Sequence, residues 1–359
     1  MVCARWAGRP ADTVRTGVTE WDELPMKTSG DTYLIKQEEQ DKLAKDPLWT
    51  PALSSPSSAS NSAYYFSHGT DETARALFDH GIWPAARAIW SEGFGGGQAA
   101  SYVLRREDAR WVEGRLTADG MEPLPLERLA KKMYELGLVT GVVGHSFNRW
   151  QWAEADFEVN GENVRRPLDG LAVRYGDGRQ APKNTTAGAG GYAVIQRRNI
   201  FFPPAQRNNA GVTYYSAIGT LVELAVTRSS GKVELLSHHS IMECGNQIVP
   251  QLVSGQLQGG LAMGIGHALH EYLPLYEDGP GNGTWNFNRY HLPLASDVAV
   301  WNQTGEVLPP LSETDPAKGI AEVVMIPVVG AIVNGVAHAI GHRFTELPIT
   351  AEKIQGVLT

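Results

Sequence analysis

The sequence predicts an α+β fold in which mixed sheets pack against helices. Residues 219–227 and 233–244 read as two strands of a hairpin, joined by a turn at 229–232. Apolar residues recur on one helical face over 126–136, and Gly137 supplies a stop signal. The 39 glycines and 21 prolines fit a loop-rich α+β protein better than a helical bundle.

The chain is long enough for one large domain or two smaller ones, with 359 residues of which 42% are hydrophobic. We predict two α/β lobes. The N-terminal lobe, 1–162, contains a loop of small residues at 51–63. The C-terminal lobe, 163–359, contains the hairpin, a glycine-rich helix that includes Gln256, and the turn that bears Glu322.

Net charge argues against partners that are polyanions. The formal charge is −8, so nothing in it indicates binding to nucleic acid or to an anionic membrane. The apolar run 320–341 is long enough to span a bilayer, but it contains Glu322, Pro327, Asn334 and His338. We therefore predict a buried helix of a globular protein there, with no membrane span.

Cysteine usage limits the redox chemistry of the chain. Cys3 and Cys244 are its two cysteines, too few for a disulfide framework or for a four-cysteine iron–sulfur or zinc site. The N-terminal residues lack the charged and then apolar pattern of a secretory signal. The cytoplasm is the predicted compartment, and the periplasm is the alternative.

One segment of helical length is unusually rich in glycine. Residues 255–269 contain five glycines, each of which costs a helix about 1 kcal/mol relative to alanine. We expect that some neighbouring group needs a close approach to this backbone.

A single carboxylate occupies a conspicuous place in the sequence. Glu322 follows the turn residues Lys318 and Gly319 and precedes the apolar run 323–340. A carboxylate against an apolar wall holds its proton more tightly than one in water, which suits a general base. The alternative is a solvated glutamate at a helix N-terminus, where negative charge is favoured.

Histidines near the end of the glycine-rich segment are candidate metal ligands. His267, His270 and Glu271 lie close together in sequence, but their spacing matches neither usual zinc-hydrolase pattern. We predict no metal held by protein side chains, and an unrelated hydrolase using these three residues is the least favoured reading.

Three segments, in order, resemble the molybdenum-binding subunit of the xanthine dehydrogenase/aldehyde oxidase family. The loop Ser-Pro-Ser-Ser-Ala-Ser-Asn-Ser at 55–62 resembles the family's small-residue cofactor loop. Glu-Cys-Gly-Asn at 243–246, with Gly-Gln-Leu-Gln-Gly at 255–259, is similar to its Asp-Cys-Gly and Gly-Gln-x-Glu-Gly patterns. Ala-Lys-Gly-Ile-Ala-Glu at 317–322 resembles the turn that carries its catalytic base.

The resemblance implies a role for eight residues. Glu322 is expected to be the catalytic base. The residues expected to bind the molybdopterin cofactor are Ala59, Ser60, Ser62, Gly255, Gln256, Lys318 and Gly319. The implied fold is that of the family's second molybdenum-cofactor-binding domain.

The sequence also departs from the family pattern. Glu243 replaces an aspartate, Gln258 a glutamate and Ala321 a glycine. If the family turn needs a positive φ at position 321, Ala321 would misaim the carboxylate. Family subunits are about twice as long, so we expect the chain to be the C-terminal half of one, either a natural split subunit or a truncated product.

The family reaction is hydroxylation, with oxygen from water, of an aldehyde or N-heterocyclic carbon. The implied partners are the N-terminal half of the molybdenum subunit and chains carrying [2Fe–2S] and either FAD or haem. Aromatic residues at 285–301 favour such a small-molecule substrate, although core packing explains them equally well. The main alternative is a non-catalytic fragment or assembly module that needs a partner half to bind cofactor.

Overall fold

The structure is a computed structural model that divides into two compact units. The first unit comprises 1–56 and 65–213, and the second comprises 57–64 and 214–359. The predicted lobe boundary at 162/163 falls inside a strand of the first unit, so the units divide the chain elsewhere. The residues that the structure describes are 2–15, 24–31, 35–52, 62–93, 104–146, 153–177, 183–201, 216–275, 279–280, 285–298, 302–312, 315 and 317–359.

Five α-helices contribute to the described part of the first unit. They are α1 (Val2–Ala7), α2 (Gln37–Leu43), α3 (Ser62–Leu77), α4 (Trp83–Gly93) and α5 (Leu126–Glu135). A π-helical turn, Phe78–Ile82, joins α3 directly to α4. The prediction for 126–136 is confirmed: Leu129 and Met133 face the core, and Gly137 follows with a left-handed φ of 61°.

The strands of the first unit are short and form several small sheets. They are β1 (Lys27–Asp31), β2 (Trp49–Ala52), β3 (Arg110–Val112), β4 (Arg115–Thr117), β5 (Leu124–Pro125), β6 (Val139–His145), β7 (Glu154–Val159), β8 (Glu162–Arg166), β9 (Gly170–Tyr175), β10 (Thr185–Ala187), β11 (Ala193–Ile195) and β12 (Ile200–Phe201). The sheet orders are β1-β2, β3-β4-β5, β10-β11-β9-β6 and β12-β7-β8. The β1–β2 pair is parallel, and the other pairs in these sheets are antiparallel.

The second unit is built on one three-stranded sheet and three helices. Its elements are β13 (Ala217–Val226), β14 (Val233–Glu243), α6 (Pro250–Leu269), β15 (Asn302–Val307), α7 (Met325–Ile340) and α8 (Ala351–Leu358). The predicted hairpin is confirmed as the antiparallel pair β13–β14, and β15 joins β14 in parallel. Gly231, at φ 68°, allows the tight turn between β13 and β14.

Apolar periodicity explains how the helices of this unit pack. Along α6, Val253, Leu257, Leu261 and Ile265 recur every four residues and are buried. Along α7, Val328, Ile332 and Val336 do the same. These residues join the inward-facing residues of β13 and β14 in one core, so the apolar run beginning at 323 is a core helix, as predicted.

Helices α6 and α7 meet through glycines. A methyl group added at Gly260 would lie 2.4 Å from Cβ of Val324, and one added at Gly264 would lie 2.4 Å from Cγ1 of Val328. From the first contact to the second, the residue number increases by four in α6 and by four in α7, so the two helices run in the same direction. This contact accounts for two of the five glycines in 255–269.

Among the described residues, no helix is both long enough and apolar enough to cross a bilayer.

We expect Gly260→Ala to lower the free energy of unfolding by about 1–3 kcal/mol, because its methyl group overlaps Val324. Gly259→Ala is the matched control, since a methyl group there meets no atom within 4 Å. It should stabilise the helix by about 0.5–1 kcal/mol. Urea unfolding of the two variants measures both effects, and equal effects would contradict the packing described here.

Candidate functional site

The end of β14 is joined to the segment that precedes the acidic turn. Gly245 and Ala317 form an antiparallel β-bridge. The backbone N–H of Lys318 donates to the carbonyl oxygen of Cys244, at 3.0 Å. Two segments that are distant in sequence are therefore held edge to edge.

Two side chains extend this attachment on either side of the bridge. Nδ2 of Asn246 donates to the carbonyl oxygen of Asp315 at 2.6 Å. Oγ of Ser216, just before β13, donates to the carbonyl oxygen of Gly319 at 2.6 Å. Asp315, Lys318 and Gly319 are thus bonded to residues at both ends of the hairpin.

An ion pair closes the same arrangement. Nζ of Lys318 contacts Oε2 of Glu243, and the backbone N–H of Gly245 donates to Oε1 at 2.7 Å. Both charged side chains are only 15% exposed. The bond from Lys318, and then that from Gly245, hold the pKa of Glu243 below its ordinary value. In this structure, Lys318 therefore positions the turn through Glu243, and its predicted contact with a cofactor stays a prediction.

Cys244 sits between these residues as a core side chain. It is 3% exposed, and burial, followed by the charge of Glu243, raises the pKa of its thiol. A buried and protonated thiol is a poor metal ligand, which agrees with the structural role of this residue.

Glu322 lies in the turn immediately before α7. Its carbonyl oxygen accepts a bond from the N–H of Met325 at 3.2 Å, and its side chain is exposed. The expectation that the described chain buries this carboxylate against an apolar wall is therefore wrong. The reason is geometric, because Val324 and Val328, rather than Glu322, face α6. Ala321 has no left-handed φ, so its replacement of glycine creates no strain.

Gln256 is brought to the same end of the helix pair as this turn. Residue 260 lies beside 324 and residue 264 beside 328. Gln256 lies one helical turn before Gly260 along α6, and Glu322 precedes the start of α7, so both lie toward the same end of the α6–α7 pair. The side chain of Gln256 is exposed there.

The glycines of α6 now separate into three groups. Gly260 and Gly264 contact α7, and Gly266 lies beside the carboxylate of Glu271. Methyl groups at Gly255 and Gly259 would meet no atom within 4 Å. These two glycines flank Gln256 and leave bare helix surface beside it, which fits the close approach of a large bound group.

The predicted serine loop falls largely outside the described residues. Ala59 and Ser60 belong to that undescribed stretch, and Ser62 is the first residue of α3. Their assignment to the cofactor stays a prediction.

The alternative hydrolase site gains no support from the structure. His267 is exposed, and the carboxylate of Glu271 accepts a hydrogen bond from the hydroxyl of Tyr290. Within the described part of the chain, no three His, Cys, Asp or Glu side chains form a group suited to a metal ion.

Two of the described aromatic residues in 285–301 have different surroundings. Phe287 is 81% exposed, whereas the Trp285 ring stacks against the guanidinium of Arg289 at 5.2 Å. Trp301 lies outside the described residues.

Sequence reasoning missed the residues that hold the turn. Glu243 was noted only as a departure from a family pattern, and Asn246 and Ser216 were given no role. Their partners lie 75, 69 and 103 residues away in the chain, so no local pattern could have revealed these bonds.

Residues 98–299, more than half of the chain, match the sequence profile of the molybdopterin cofactor-binding domain. Gly255 and Gln256 lie within the match, whereas Glu322, Lys318 and Gly319 follow it.

Three curated relatives show what else the chain resembles. The carbon monoxide dehydrogenase large chain of Hydrogenophaga pseudoflava is 30% identical over 134 residues, 36% of this chain and 16% of the relative. The nicotine 6-hydroxylase large subunit of Paenarthrobacter nicotinovorans is 31% identical over 137 residues, which are 37% of this chain and 16% of the relative. The aldehyde oxidoreductase molybdenum-binding subunit PaoC of Escherichia coli K12 is 30% identical over 142 residues, which are 38% of this chain and 19% of the relative.

A solved structure agrees in fold. A Cu,Mo-CO dehydrogenase aligns with a TM-score of 0.50 and 18% identity, covering 86% of this chain and 31% of that chain.

The chain belongs to the molybdopterin cofactor-binding domain family, and its resemblance to the molybdenum-binding subunits of xanthine dehydrogenase and aldehyde oxidase type is confirmed. The α+β fold class is confirmed with it. The matched segments are 16 to 19% as long as the three relatives named above.

We expect Glu243→Gln to lower the free energy of unfolding at pH 7 by about 1–3 kcal/mol, because it leaves the ammonium of Lys318 unpaired and partly buried. A carboxyl group whose pKa is lowered by folding stabilises the protein at pH values above its ordinary pKa of 4.5. That stabilisation is lost as the pH falls through the lower pKa of the folded state. The difference between wild type and variant should therefore be constant above about pH 5 and shrink below pH 4.5.

Urea unfolding from pH 3.5 to 7.5 measures this difference. Glu234→Gln is the matched control, because Glu234 is exposed on the same strand. It should change stability by less than about 0.5 kcal/mol. A Glu243→Gln effect that is equal at every pH would contradict the assignment.

Proposed function

We propose that this chain is the part of a molybdenum hydroxylase that carries the catalytic base and one wall of the cofactor site. What supports the proposal is that, in a member of the molybdopterin cofactor-binding domain family, Gln256 lies one helical turn before Gly260, which packs against Val324, and Glu322 lies just before Val324. The family resemblance gives a role to each of the two residues, from two different segments of the sequence.

The proposed reaction is RH + H₂O → ROH + 2H⁺ + 2e⁻, where RH is an aldehyde or an N-heterocycle. The Glu322 carboxylate accepts one proton as oxygen from water is added to the substrate carbon.

Residues around Glu322 are proposed to bind the cofactor. The amide of Gln256 can donate and accept hydrogen bonds at once, and Gly255 and Gly259 leave room for the group beside it. Gly319 and Lys318 keep the turn in place through Ser216 and Glu243. The small residues Ala59, Ser60 and Ser62 would supply backbone N–H groups and hydroxyls to the phosphate. When bound, molybdopterin supplies the molybdenum centre that takes up the two electrons.

Electrons leave this chain through partner chains. An iron–sulfur cluster takes four cysteine ligands, whereas this chain has Cys3 and Cys244. A [2Fe–2S] subunit is therefore proposed as the acceptor, followed by a chain that carries FAD or haem.

The remaining partner is the polypeptide that corresponds to the N-terminal half of a family subunit. The matched relatives are much longer than the segments they share with this chain. Glu322 is exposed, and a general base works best where water is excluded. We propose that the partner half covers this end of α6 and α7 and provides the missing dry wall.

We expect Glu322→Gln in the complete assembly to reduce kcat by a factor of about 100 to 10,000, because the amide cannot accept the proton. Molybdenum content should stay at the wild-type level, since the turn is held by other residues. Steady-state turnover and metal analysis of the same preparation measure both quantities.

Two variants serve as controls in the same assembly. Glu346→Gln removes another exposed carboxylate of the second unit and should leave kcat unchanged. Gln256→Leu should instead lower molybdenum content, whereas Gln258→Leu, on the opposite side of α6, should not. Turnover near wild type in Glu322→Gln would rule out its role as the base.

A second candidate is a non-catalytic assembly module of such an enzyme, favoured by the small fraction of the relatives that the chain matches. Metal analysis separates the two candidates. A chain that acquires molybdenum and turnover together on adding the partner half is part of the enzyme. If the complex gains turnover while the chain's Gln256→Leu and Glu322→Gln variants remain fully active, the chain is a module.

A further inference from the structure

The first unit contains a cavity that none of the roles assigned above explains. Its volume is about 470 Å³, and it lies among α1, α3, the π-helical turn and β6. The described residues that line it are Cys3, Trp6, Ala7, Gly69, Thr70, Thr73, Ala74, Leu77, Ile82, Val142, Val143, Gly144 and Tyr192.

The lining is mostly apolar, and its described side chains carry no formal charge at neutral pH. Their polar groups are three hydroxyls, one thiol and the indole N–H of Trp6, which already donates to Asp71 outside the cavity. A charged ligand would lose its hydration there without gaining an oppositely charged partner from the described lining, which disfavours its binding. A neutral and largely apolar ligand meets no such penalty.

Two hydroxyls could orient such a ligand. The Oγ1 hydrogen of Thr73 is used in a bond to the carbonyl oxygen of Gly69, at 2.6 Å, so this oxygen presents its lone pairs as acceptors. The phenol of Tyr192 can donate or accept. A ligand with one hydroxyl or N–H group would therefore be matched.

One wall of the cavity is fixed by ion pairs outside it. Nε1 of Trp6 and Nη2 of Arg5 each donate to Oδ1 of Asp71 at 2.7 Å. The guanidinium of Arg106 lies 5.3 Å from the centre of the Trp6 ring. Because these contacts hold Trp6 in place, the cavity is formed before any ligand arrives, which lowers the cost of binding.

We propose that this cavity is a binding site for a neutral, largely apolar small molecule with a single polar group. Its volume falls within the range of about 300–1,000 Å³ that is typical of small-molecule pockets. The site is contained within the first unit and shares no residue with the proposed reaction. If the cavity binds no ligand, the proposed function is unaffected, and if the proposed function is wrong, the cavity proposal is unaffected.

Cys3 makes a residue-specific test practical. It lines the cavity and is partly exposed, whereas Cys244, the other cysteine of the chain, is buried. A ligand in the cavity should shield Cys3 from alkylation by iodoacetamide. Mass spectrometry of the two cysteine peptides gives the rate at each thiol.

The probe is 2-naphthol, which is apolar with one hydroxyl and neutral at pH 7, and 2-naphthoate is its charged counterpart. We expect saturating 2-naphthol to slow alkylation of Cys3 at least fivefold, whereas 2-naphthoate at the same concentration changes it less than twofold. Absence of protection by 2-naphthol up to its solubility limit overturns the proposal. Equal protection by 2-naphthoate would contradict the proposal that the cavity selects a neutral ligand.

Filling the cavity provides the matched variant. Ala74→Phe places a ring in the lining and should abolish protection by 2-naphthol, while Ala130→Phe, at an exposed position of α5 outside the lining, should keep it. Circular dichroism establishes that each variant is folded, and Val143→Phe replaces Ala74→Phe if that variant is not. Protection that survives in a folded, filled variant contradicts binding in this cavity.

Discussion

The close contact of α6 and α7 at Gly260 and Gly264 is the constraint on which the proposed site depends. Any larger side chain at these positions would overlap Val324 or Val328 and push the helices apart. Because the contact fixes the register of the two helices, Gln256 and the turn that bears Glu322 lie toward the same end of the α6–α7 pair. The glycines therefore act on the site from one and two helical turns away.

The turn itself depends on a second set of contacts, which bind it to the hairpin. A β-bridge, an ion pair and two side-chain bonds hold residues 315–319 against the ends of β13 and β14. The backbone that leads to Glu322 is thus anchored, while its side chain points outward. An anchored backbone with an exposed carboxylate is compatible with the proposed half-site, in which this chain would position Glu322 and a partner would exclude water.

Local pattern predicted much of the second unit because its elements obey simple periodicities. The hairpin, α6 and α7 followed from apolar spacing and turn residues, as did the stop at Gly137 in the first unit. The excess of glycine in α6 correctly indicated a close approach, but it did not reveal that two glycines contact α7 while two others face open space. The burial predicted for Glu322 was wrong because the apolar run turns Val324, not Glu322, toward α6.

By itself, the sequence determined the types of the main elements, the α+β class and the family, since periodicity, turn residues and short motifs are local properties. Only the tertiary structure decided that Lys318 pairs with Glu243, that Gln256 and the acidic turn lie toward the same end of a helix pair, and that α1, α3 and β6 line a cavity. Contacts of this kind join residues far apart in the chain, and they arise only when helices and strands pack into one core.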